Sequence, residues 1–223
     1  MLNEKKGVYF DFDGVLVDST ESIMAKAYIQ AIGTYHKRPN NLFLLDVLKA
    51  RSKAVKAEYF WKTLVGSLNK AHGLPSWELE EVLEISHRYA KPELEKLKLR
   101  DGAIDLFHAL QDNGQDIGLV TTSARETIDV VASQNPAFAK AFGDNIITSN
   151  DGGPKAKSYT KMIERFNHKP YDVTAIEDSP GGIQSARDAG IDDIIAYINP
   201  GLFKGKVKSA TMFRITSFEQ LRG

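Results

Sequence analysis

Six residues combine types and positions that suit one kind of chemistry: Asp11 and Asp13 near the start, Thr121 and Lys155 in the middle, Glu177 and Asp178 further on. Together they supply four carboxylates, one hydroxyl and one amine. Carboxylates gathered in one cleft repel each other, and a hard divalent cation with oxygen ligands, Mg2+ foremost, relieves that repulsion. Phosphoryl transfer asks for little more: an in-line nucleophile, a proton donor for the leaving oxygen, and positive charge around the equatorial oxygens. Asp11 suits the nucleophile, because a carboxylate can form an acyl phosphate that divides one difficult step into two. Asp13 lies two residues on and in extended chain points the same way, so it can give a proton to the leaving group and later take one from water. Thr121, with Thr122 beside it, the amides of the helix opening at Ser123, and Lys155 suit the phosphoryl oxygens.

These residues need elements that bring them to one place. Gly7-Val8-Tyr9-Phe10-Asp11 is short, aromatic and β-branched and runs into Asp13-Gly14, which predicts a buried strand ending at the carboxylates. From about residue 96 the pattern alternates. A helix is expected over Asp101–Asn113, a strand over Asp116–Thr121, a helix from Ser123 with a Ser123–Glu126 capping box, and a strand over Asn145–Thr148. Then come a helix over Lys155–Phe166, a strand over Val173–Glu177, a helix with Pro180 first and Ser179 as its cap, a strand over Asp193–Ile198, and a short piece over Met212–Leu221. Such alternation predicts an α/β fold, a Rossmann-like doubly wound parallel sheet with helices on both faces. In such sheets ligands bind beyond the carboxyl ends of the strands, where the six residues stand. Between Ser19 and Tyr89 the apolar spacing is helical throughout, with breaks at Gly33, Pro39, Gly73 and Pro75, so an all-helical insert is expected. The predicted division is a core of 1–17 and 96–223 and a helical cap of 18–95.

Composition narrows the partners. Lys plus Arg and Asp plus Glu each number 29, so no net field favours nucleic acid or an anionic membrane, and a small molecule fits better. The absence of cysteine removes disulfides, thiolate nucleophiles and Cys-ligated zinc. The apolar run Val8–Val17 contains Asp11 and Asp13, which would abolish a signal peptide, and no stretch reaches the ~18–20 apolar residues of a spanning helix. The expected location is cytoplasmic.

Asp11-Phe12-Asp13-Gly14-Val15-Leu16-Val17-Asp18-Ser19 resembles the first motif of the haloacid dehalogenase superfamily, in its helical-capped phosphatase and phosphomutase branch. Gly118-Leu119-Val120-Thr121, Lys155, and Ile176-Glu177-Asp178-Ser179-Pro180-Gly181-Gly182 follow in the order of its other three motifs, and the helical insert falls where this branch carries its cap. The resemblance implies Asp11 as nucleophile and metal ligand, and Asp13 as acid and base, ligating through its carbonyl. It further implies Asp178 as a metal ligand with Glu177 in direct or water-mediated contact, and Thr121 and Lys155 on the phosphoryl group. An aspartate two places after the nucleophile implies phosphate esters, since dehalogenases, phosphonatases and transport ATPases of the superfamily lack it. Relatives have Lys-Pro at the third motif, whereas this chain has Gly152-Gly153-Pro154-Lys155-Ala156-Lys157, so either lysine can fill the place; Lys155 is preferred because an apolar helix face follows it.

Plainer readings apply elsewhere. An Asp-x-Asp at a strand end is more often a turn, and the later Glu177-Asp178-Ser179-Pro180 run is what favours catalysis. Lys49, Arg51, Lys53 and Lys56 suit a solvated helix face better than a second phosphate clamp, Tyr59, Phe60, Trp61 and Trp77 suit helix packing, and the five histidines lack metal-ligand spacing. The leading expectation is a Mg2+-dependent hydrolase of a small phosphorylated metabolite. A sugar-phosphate phosphomutase and a catalytically idle binding protein are the alternatives. Oligomeric state is not readable from the sequence, a monomer being compatible with it.

Overall fold

The computed structural model of the protein describes residues 2–18, 20, 23–24, 26–27, 30–31, 78–151, 153–198 and 212–221. The expectations placed on 32–77, including the Lys49–Lys56 cluster and Tyr59, Phe60, Trp61 and Trp77, lie outside these. The chain divides into two compact units, one of Met1–Asp18, Lys98–Arg125 and Ala132–Gly223, the other of Ser19–Leu97 and Glu126–Val131.

The first unit is a six-stranded sheet in the order β3-β2-β1-β4-β5-β6. Its strands are β1 (Gly7–Phe10), β2 (Asp116–Val120), β3 (Ile146–Ile147), β4 (Val173–Glu177), β5 (Asp193–Tyr197) and β6 (Phe213–Ile215). Every pairing is parallel. The expected Rossmann-like class is therefore observed. Its central strands are buried along their length, in keeping with a sheet covered on both faces.

Alternation along β1 explains the two layers beneath the site. Phe10 points to one face, where it packs edge-on against Phe107 of α2 (Ala103–Asp112) and Phe142 of α4 (Pro136–Phe142), with Phe218 beside them. Tyr9 points to the other, among Tyr159 and Met162 of α5 (Lys155–Arg165) and Ile183 and Ala186 of α6 (Pro180–Asp188). Far from the carboxyl ends, the Tyr9 hydroxyl is 2.9 Å from His168 Nδ1, and His168 Nε2 is 3.0 Å from Asp116. His168 is thus a buried structural group, within the expectation for the histidines. In the second unit the described residues include α1 (Glu78–Leu94) and helical positions among 23–31; Ala27, Ala90 and Leu94 are buried together. Among the described residues no helix is long and apolar enough to cross a membrane.

Two local expectations are corrected. The helix expected to open at Ser123 is α3 (Arg125–Gln134), and its flank Ala124 supplies no side-chain cap; Asn150 Oδ1 instead accepts the Arg125 N–H at 2.9 Å. The Ser123 hydroxyl is drawn away by Asp13, as described below. Helix α4 has no counterpart in the sequence reading, since seven residues make fewer than two turns and give little periodicity.

Phe10 supports the strand that ends at Asp11 and is fully buried. Phe10→Ala is expected to lower unfolding free energy by about 3–5 kcal/mol in urea titration. A loss under about 1 kcal/mol would show that the aromatic layer does not carry the core.

Candidate active site

The carboxyl ends of the central strands bring the carboxylates together. Asp11 follows β1, whose neighbours are β2 and β4, and its N–H donates to Ile176 O at 3.0 Å. Glu177 closes β4 and is fully buried, and Asp178 follows it. Asp11, Glu177 and Asp178 each offer a carboxylate oxygen within 4.8 Å of the others.

Lys155 lies between two of them. It opens α5, and its ammonium is 2.8 Å from Asp11 Oδ1 and 2.6 Å from Glu177 Oε1. Burial alone would lower its pKa, but the charges of Asp11 and Glu177 outweigh that and raise it, so the amine stays protonated. Lys157, two residues on, is exposed. Of the two lysines the structure therefore puts Lys155 among the carboxylates.

A residue that the sequence reading assigned only to the apolar face completes this network. The Tyr159 hydroxyl donates to Glu177 Oε1 at 2.6 Å, and burial, then the Glu177 charge, raise its own pKa. Its position four residues after Lys155 puts both on one face of α5, which is the signal that would have found it. Glu177 is pushed up by burial and by Asp11, against the pull of Lys155 and Tyr159. Its second oxygen, Oε2, is buried with no hydrogen-bond partner among the described residues. A Cβ on Gly182 would lie 1.9 Å from that oxygen, so glycine is required where α6 begins.

Asp13 sits in the turn after β1, partly buried, and its Oδ2 accepts a short hydrogen bond from the Ser123 hydroxyl. Thr121 is buried just past β2, its Oγ1 accepting the Ser123 N–H at 3.0 Å. Thr122, beside it, is exposed. Gly14 has a φ of 77°, and a Cβ there would lie 1.8 Å from Asp178 Oδ2, so the turn rests directly on Asp178.

A family model for haloacid dehalogenase-like hydrolases matches residues 5–190. The chain belongs to this family. It is 25% identical over 191 residues to a phosphoglycolate phosphatase of Synechococcus elongatus, covering 83% of this chain and 81% of that one. It is 26% identical over 198 residues to the phosphorylated carbohydrates phosphatase of Thermotoga maritima, covering 87% and 86%. The fold matches that of CbbY from Rhodobacter sphaeroides, solved in complex with phosphate, at a TM-score of 0.76 and 18% identity over 97% and 96% of the two chains. Membership of the haloacid dehalogenase-like family agrees with the motif resemblance found in the sequence.

The donor set of this haloacid dehalogenase-like site fits a divalent metal. Three clustered carboxylates and an orphaned buried oxygen are what a hard, oxygen-seeking cation satisfies. Asp178 reports the cost of leaving them unscreened: burial, then Asp11, push its pKa up to about 7. Because Asp178 holds its proton to higher pH folded than unfolded, its contribution to stability is full at low pH and is lost as pH rises toward about 7. With chelator present, the thermal midpoint is expected to fall over that interval, and Asp178→Asn to flatten the slope. Equal slopes in the two proteins would contradict the assignment.

Proposed function

We propose that the protein is a magnesium-dependent phosphatase that hydrolyses a small phosphomonoester through an aspartyl phosphate on Asp11. The observation that carries this reading is the asymmetric hold on Asp11. Its Oδ1 accepts the Phe12 N–H at 2.8 Å and meets Lys155 at 2.8 Å, which leaves Oδ2 as the oxygen suited to attack phosphorus.

The chemistry follows from the remaining groups. As Asp11 Oδ2 bonds to phosphorus, the ester oxygen leaves with a proton from the Asp13 carboxyl. Ser123 donates to Oδ2 of Asp13, so the transferable proton belongs on Oδ1. In the second half, the Asp13 carboxylate takes a proton from water, the water oxygen bonds to phosphorus, and the Asp11 oxygen–phosphorus bond breaks. Lys155, the Thr121 hydroxyl and the amides leading into α3 would face the phosphoryl oxygens. Asp11, Asp178, Glu177 and the Asp13 carbonyl would hold the magnesium, which when bound supplies charge against the phosphoryl oxygens. The 18–95 segment is assigned the role of a cap that excludes water during transfer.

The names of the relatives support a phosphorylated metabolite as substrate, both being phosphatases. The test is phosphate release from a panel of phosphorylated metabolites with Mg2+. Asp11→Asn is expected to lower release by about a thousandfold or more, and chelation to abolish it until Mg2+ is restored. Free phosphate from glucose 1-phosphate would mark a hydrolase, and glucose 6-phosphate a mutase. Release that persists in Asp11→Asn would refute the covalent route.

A further inference from the structure

Arg100 stands just before α2, where the chain returns to the first unit, and only 16% of its side chain is exposed. Its Nη2 donates to the Gly14 carbonyl at 3.2 Å, its Nη1 is 3.0 Å from Asp18 Oδ1, and its Cζ lies 4.9 Å from the centre of the Tyr197 ring. The Arg100 N–H donates to Leu16 O at 2.8 Å. One residue thus grips the 13–18 turn at Gly14, Leu16 and Asp18.

Asp18 is 82% exposed, so its ion pair is screened by water and salt and contributes little. Arg100 Nε is buried without a hydrogen-bond partner among the described residues, which is a desolvation cost. What the arrangement does supply is direction. A planar guanidinium seated on Tyr197 and braced by Asp18 has little freedom, so Nη2 presents a charged donor to one carbonyl in one orientation. That carbonyl belongs to Gly14, whose Cα already rests on Asp178.

We infer that Arg100 is a positioning residue that holds the turn carrying Asp13 in place by clamping the Gly14 carbonyl, and through it governs proton delivery to the leaving group. The inference rests on the reading of Asp13 as the acid. The turn's internal bonds, Gly14 N–H to Val17 O at 3.0 Å and Leu16 N–H to Phe12 O at 2.9 Å, make it a unit that shifts as a whole. Without Arg100 that unit is free to leave Asp178 and carry Asp13 with it. Asp11 keeps two holds that lie outside the turn, its own N–H to Ile176 O at 3.0 Å and Lys155 at 2.8 Å.

The test compares phenyl phosphate, whose leaving oxygen needs a proton, with 4-nitrophenyl phosphate, whose leaving oxygen does not. In Arg100→Ala, kcat/KM for the phenyl ester is expected to fall about tenfold further than for the nitrophenyl ester. Added guanidinium, below denaturing concentration, is expected to restore part of that difference. Arg100→Lys should show the same selective loss, since one ammonium cannot span Asp18 and Gly14, and it guards against a misfolded alanine variant. Equal losses on the two esters in both variants would overturn the assignment of Arg100 and leave the proposed function standing. Failure of the unaltered protein to hydrolyse either ester would instead refute the reading on which it rests.

Discussion

A single ammonium held between two buried carboxylates organises this site. Lys155 is fixed by Asp11 at the end of β1 and by Glu177 at the end of β4, so it ties adjacent central strands to the first turn of α5. Removing the lysine would strand two acids in a medium that cannot solvate them, and removing either acid would strand the lysine. Tyr159 and Phe12 extend the arrangement by donating to the same two carboxylates. The two carboxylates keep the amine protonated, and each group aims the others.

The parallel sheet makes this possible with little local effort. Strands running the same way end at the same edge, so residues far apart in sequence meet once the register of β1 with β2 and β4 is set. The two faces of β1 then divide the labour of support between Phe10 and Tyr9, each packed under its own helical layer. Glycine appears where backbone must come closest to the acids: Gly14 against Asp178 and Gly182 against Glu177.

Much of this was legible in the sequence, for identifiable reasons. The strand ending at Asp11 and the Ser179-Pro180 helix start are local signals, and Ser179 Oγ does accept the Gly182 N–H at 3.1 Å. The choice of Lys155 over Lys157 followed from which lysine precedes the apolar face of α5. Ser123 was misread as a helix cap because its partner, Asp13, is 110 positions away and no local pattern announces it. Arg100 has no signal in the sequence, since its meaning depends on Gly14, Asp18 and Tyr197 meeting around it. Tyr159 was placed correctly as buried while its hydroxyl went unassigned. Periodicity reports which face of a helix is covered, and says nothing of a polar atom at the tip of a covered ring.

The position of β1 has a consequence for how the molecule opens. It is hydrogen-bonded on both sides, and its continuation at Asp11 still donates to Ile176. No fraying edge or terminal turn gives solvent access to those amides, so their protons can exchange with deuterium only when the sheet itself comes apart. The strand that ends at the nucleophile is therefore a built-in gauge of global opening. Motions that exchange substrate for product can proceed many times over without those amides ever taking up label.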